Sequence, residues 1–186
     1  MEHGASSHTK APLVEADRPF PSFRRRYDAF LKPWIGSAVL LPLCAYFALT
    51  RGAYTFLDAA DLVIHEAGHV FFAPFGPFLR MAGGTLLQIL LPLMLVGHFL
   101  WNDYRFGAQV MLFWLGQNLV NISVYAADAR ARQLPLLGGD RAAHDWSYML
   151  GRLGGLEYDA LVGGVFFALA IVVFALALAL PRFTVD

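Results

Sequence analysis

Five apolar stretches dominate the chain, at roughly residues 34–50, 54–73, 82–101, 106–127 and 160–180. Each comes close to the ~20 residues that cross a bilayer as a helix. In hydrocarbon a backbone must satisfy its own polar groups, so runs of this length dictate helices. A soluble domain of 186 residues also has too little interior for a sequence that is 58% hydrophobic and 15% charged. The fold expected is all-α: a polytopic integral membrane protein of about five transmembrane helices, with the lipid bilayer as its first partner. Residues 1–33 read as a cytoplasmic amino-terminal tail. It is polar, holds Pro12, Pro19, Pro21 and Pro33, and carries the basic run Arg24-Arg25-Arg26. It is long for the head of a signal peptide and shows no convincing cleavage site, so it reads as retained. Residues 34–182 then form the transmembrane domain, with a loop over 128–158.

Basic residues orient such a bundle. With the amino terminus inside and five crossings, eleven basic residues fall on the cytoplasmic side, Arg80, Arg130 and Arg152 among them. Only Arg51, Arg105 and Arg182 fall outside. This split predicts a cytoplasmic loop 128–158 and an outer carboxyl terminus. A net charge of zero gives no reason to expect nucleic acid as a partner. Cys44 is the only cysteine, which excludes an intrachain disulfide and a cysteine zinc site.

The second stretch contains His65-Glu66-Ala67-Gly68-His69. Residues four apart on a helix lie on one face, so His65 and His69 can grip one metal ion together. Glu66 beside them can take a proton from water, which is the H-E-x-x-H arrangement of zinc hydrolases. The implied cofactor is Zn2+. The stretch should end at Pro74-Phe75-Gly76-Pro77, which breaks a helix.

Two polar stripes run through this apolar background. Asp58, Asp61, His65 and His69 share one helical face, and so do Asn118, Asn121, Tyr125 and Asp128. Lipid cannot satisfy such groups, so both stripes should face the bundle interior or each other. A hydrolytic zinc takes three protein ligands and keeps one position open. Asp128, at the end of the second stripe, is the expected third ligand. The alternatives are His144 and Asp145, which follow a glycine stop at Gly138-Gly139 and a cap at Asp140. Asp61, one turn before His65, is a candidate to orient that imidazole, whereas Gln88 and Gln117 read as packing contacts. Asn118 and Asn121 are candidates to hold an extended substrate strand by its backbone.

These residues resemble the site-2-type intramembrane zinc metalloproteases. The resemblance lies in His65-Glu66-Ala67-Gly68-His69 on a membrane helix, followed by an asparagine-bearing helix that ends in an aspartate. In that family the later aspartate is the third zinc ligand, which implies that role for Asp128. The stretch Asn121-Ile-Ser-Val-Tyr-Ala-Ala-Asp128-Ala lacks the family's proline and its glycine after the aspartate. The chain is also similar to a group of small bacterial membrane proteins with a His-Glu-Ala-Gly-His helix and a later His-Asp-Trp, here His144-Asp145-Trp146. That implies an address in a bacterial inner membrane. The function expected is a zinc metallopeptidase, with Glu66 as catalytic base, acting on a membrane protein or peptide. A zinc hydrolase of lipids or other amides and a non-catalytic metal-binding scaffold are the rival readings. Only the first two require Glu66.

Overall fold

The computed structural model describes residues 31–51, 53–135 and 144–184. The Arg24-Arg25-Arg26 run and the glycine stop and cap at 138–140 lie outside the described residues. Met1–Lys32 and Pro33–Asp186 are separate units, and the site belongs to the second. The described chain is all-helical: α1 (Ile35–Leu49), α2 (Phe56–Phe72), α3 (Pro77–Trp101), α4 (Arg105–Ala127), α5 (Asp145–Arg152) and α6 (Asp159–Thr184), with short 3-10 turns at Lys32–Trp34, Ala73–Phe75 and Leu156–Tyr158. Each of the five apolar stretches is a helix. Four of these, α1, α3, α4 and α6, are long and apolar enough to cross a membrane. The fifth, α2, has 17 residues, about 26 Å at 1.5 Å per residue.

Local sequence sets the ends of α2. At its start the Asp58 carboxylate accepts from both the backbone N–H and the hydroxyl of Thr55, each at 2.7 Å, so a first-turn acid ties down the entering chain. At its end Pro74 tightens the helix into a 3-10 turn. Gly76 then takes φ +99, where a side chain would be strained, and Pro77 opens α3. Pro42 and Pro92 sit inside α1 and α3, where packed neighbours tolerate them.

Small residues let α2 and α3 touch backbone to backbone. A methyl group on Gly68 would run into the Gly83 carbonyl, and one on Gly84 would run into the His65 imidazole. With no hydrophobic drive between helices in lipid, such close approach is what holds membrane helices together. Gly163 likewise lies against the Ser123 carbonyl and Ala127 of α4. Gly154-Gly155 does not join helices; Gly154 has φ +66 in the turn before α6.

α4 is the central post. Leu40, Cys44 and Phe47 of α1 pack with Phe113, Leu115, Leu119 and Val120 of α4 and Ala170 and Phe174 of α6. Gln109 near the start of α4 donates to the Ser37 hydroxyl and the Ala177 carbonyl, and Ser37 donates to the Leu178 carbonyl. Arg51, just past α1, donates to Ser123 near the end of α4 at 3.2 Å. α1 and α4 therefore run parallel, and α1 begins beside the end of α6.

That arrangement corrects the topology expected from the basic residues. Five alternating crossings would put the starts of α1 and α4 on opposite faces, but they share one. α2 begins at the depth of Gln117 and Asn121, which bond Asp58, and leaves at the end of the bundle where Arg80 starts α3. It does not cross the whole bundle. Arg51 consequently sits toward the same end as Arg80 and Arg130, and the eleven-to-three split fails. In a Cys44→Ala background, single cysteines at Trp34 and Asp103 should label from one side of the membrane and a cysteine at Pro135 from the other. Labelling of Trp34→Cys and Pro135→Cys from the same side would contradict the parallel packing.

Candidate metal centre

The two polar stripes face each other, as lipid exclusion requires. His65 and His69 lie against α3, with their ring centroids 4.8 Å apart and His65 also facing Tyr125 of α4. Asp145, the first residue of α5, swings in from the other side. Its Oδ2 lies 2.8 Å from His65 Nε2 and 3.2 Å from His69 Nε2. The three side chains offer ligand atoms all within 4.8 Å of one another, and they are the one group among the described residues with the spacing to hold a metal ion.

The hydrogen bonds behind the rings decide what faces Asp145. His65 Nδ1 donates to Gln88 Oε1 at 2.8 Å, and His69 Nδ1 donates to the Arg80 carbonyl at 2.8 Å. With Nδ1 protonated, a neutral ring carries its lone pair on Nε2. Two lone pairs therefore point at one carboxylate oxygen. That contact is repulsive unless a positive charge lies between. A proton on one ring relieves one of the two contacts, whereas a divalent ion relieves both. In tetrahedral zinc with ligands at ~2.0–2.1 Å, neighbouring ligand atoms lie roughly 3.3 Å apart. The 3.2 Å separation meets this and the 2.8 Å one needs only a small opening. The donor set, two imidazoles and a carboxylate, is one that zinc takes.

Asp145 is itself held in place. Its side chain is 6% exposed. The Tyr125 hydroxyl accepts the Asp145 backbone N–H at 3.1 Å and donates to Oδ2 at 3.3 Å. His144 caps α5 by accepting the Ser147 N–H on Nδ1, which leaves its Nε2–H facing Asp128 Oδ2 at 3.5 Å. Burial pushes the His144 imidazole down, against the pull of Asp128.

Asp128, the expected third ligand, is not in the cluster. It ends α4, and its two oxygens accept the backbone N–H groups of Gln133 and Leu134 at 2.9 and 3.0 Å. It shapes the loop after α4 and steadies His144. The carboxylate that meets the histidines is Asp145, and His144 serves as its neighbour's cap. Asp61 does not orient His65 either. It is fully buried and accepts from Trp114 Nε1 at 2.9 Å. Gln88, read from sequence as a packing contact, is the residue that holds His65. Gly84, four residues earlier on the same helix, makes room for the same imidazole.

The cluster opens into a cavity of about 960 Å³ lined by residues of α1 to α4 and by Leu134, Pro135 and Asp145. Phe47, Leu62, Val120 and Val124 give it apolar walls, and Glu66 and Arg80 lie on it beside His69. Glu66 is exposed. Asn121 reaches the cavity, but its amide bonds Asp58 and Gln88. Asn118 is fully buried and bonds Gln88 and the Trp114 carbonyl, so it offers a substrate nothing. The chain matches no family model, no curated protein and no solved structure.

Proposed function

We propose that this chain is a zinc-dependent hydrolase that cuts peptide bonds within or beside the membrane. The observation that carries the reading is the meeting of His65 Nε2 and His69 Nε2 on the Asp145 carboxylate, at 2.8 and 3.2 Å, with Glu66 on the wall of the same cavity. His65, His69 and Asp145 would hold the ion, leaving a fourth position free. Bound zinc supplies Lewis acidity, polarising a carbonyl and lowering the pKa of water. Glu66 accepts the proton of the water that attacks the scissile carbonyl and passes it to the nitrogen of the leaving amine as the C–N bond breaks. Tyr125 keeps Asp145 in position throughout. The apolar walls keep bulk water away and accept the side chains of an extended, unwound segment. We place the protein in a bacterial inner membrane with its amino terminus cytoplasmic. Given the parallel packing of α1 and α4, the site then opens toward the opposite face.

The test is cleavage by the purified chain in bicelles, with single-span membrane proteins as substrates and new amino termini read by mass spectrometry. Cleavage should stop with a zinc chelator and return with added zinc. A zinc-loaded chain that cuts no peptide but releases fatty acid or amine from lipids would replace this reading with lipid hydrolysis.

A further inference from the structure

We propose that Gln88 is a positioning residue that fixes the tautomer with which His65 faces the metal, and that a chain of buried amides sets the direction of its own side chain. This rests on reading His65 as a metal ligand.

Direction enters the network at two groups that can only accept. The first is the Asp58 carboxylate, to which Asn121 must present its Nδ2, at 3.0 Å. The second is the Trp114 carbonyl, to which Asn118 presents its Nδ2, at 3.1 Å. Each asparagine therefore turns its Oδ1 the other way, and both oxygens meet the same atom. Gln88 Nε2 donates to Asn118 Oδ1 at 3.2 Å and to Asn121 Oδ1 at 3.3 Å. With its nitrogen claimed twice, Gln88 has only its oxygen left for His65. Oε1 accepts, so His65 Nδ1 must hold the proton and Nε2 the lone pair. Turning the amide of Gln88 over would set its oxygen against the two asparagine oxygens, and only then could Nδ1 accept. Gln88 is 2% exposed and Asn118 is fully buried, so a broken bond between these two costs its full desolvation penalty. The usual partner of a metal-binding histidine is a carboxylate or a backbone carbonyl. His69 uses a backbone carbonyl, and here an amide held from two sides does the same work for His65.

A packing role and a positioning role predict opposite orders for two substitutions. Leucine at position 88 matches glutamine in size and suits an apolar interior, but it cannot accept from Nδ1. Glutamate accepts from Nδ1 as well as glutamine does and, as the neutral acid, still donates to the asparagine oxygens. The experiment measures zinc affinity and the 15N signals of His65 in the purified full chain, in wild type, Gln88→Leu and Gln88→Glu. Gln88→Leu should weaken zinc binding ~10- to 100-fold, the usual effect of losing such a partner, and should lose the single Nδ1–H signal in the metal-free chain. Gln88→Glu should keep both. Equal zinc affinity in Gln88→Leu and wild type overturns the proposal, as does a folded Gln88→Glu chain that has lost zinc. If Gln88→Leu does not fold, Gln88→Glu decides alone. A wild-type chain that binds no zinc removes the metal reading itself, whereas a zinc-binding wild type matched by Gln88→Leu removes only the role of Gln88.

Discussion

Glu66→Gln is expected to leave zinc in place and to remove hydrolysis, by the ~100- to 10,000-fold typical of a lost general base. Glutamine keeps the length and hydrogen-bonding reach of the side chain but cannot take a proton from water. The fold should not notice. Glu66 is exposed on the cavity wall, and exposed substitutions usually change stability by about 0.5 kcal/mol or less. Zinc should stay, because the side chains proposed to hold it are His65, His69 and Asp145. The measurement is peptide cleavage by the zinc-loaded variant, together with its ability to complement a deletion strain. A zinc-loaded Glu66→Gln chain that complements fully would make this a metal-holding scaffold and not an enzyme.

Much of this was legible in the sequence because it depends on local pattern. Apolar run length gave the five helices, and the Pro74-Phe75-Gly76-Pro77 break set the end of α2. Helical spacing put Asp58, Asp61, His65 and His69 on one face and Asn118, Asn121 and Tyr125 on another. The need to hide them from lipid made the two faces meet. What escaped was neighbourhood. Run length does not separate a helix that crosses the bundle from α2, which starts halfway, so the alternation of faces went wrong at α1. Helical spacing carried the second stripe one residue too far, to Asp128. That residue stands where α4 ends, and an acid there has a local task in bonding the N–H groups of the following loop. Asp145, which the sequence offered only as an alternative, is eighty residues from His65, so helical spacing could not rank it first. Gln88 was hidden for a similar reason, since a lone glutamine in an apolar helix has no pattern until its neighbours are known.

The largest effect on the metal should come from Asp145→Ala. Losing the carboxylate proposed as a direct ligand leaves two imidazoles and should weaken zinc binding by more than the ~100-fold upper range for losing a residue that only orients one. Asp128→Ala should do far less, because Asp128 acts on the loop and on His144 and does not reach the cluster. The family pattern makes the opposite assignment, with the aspartate after the asparagine-bearing helix as ligand. Zinc content per chain, measured on purified wild type, Asp145→Ala and Asp128→Ala at one free zinc concentration, separates the two. The geometry predicts about one zinc in wild type, nearly as much in Asp128→Ala and almost none in Asp145→Ala. A full complement of zinc in Asp145→Ala would contradict a centre built from His65, His69 and Asp145.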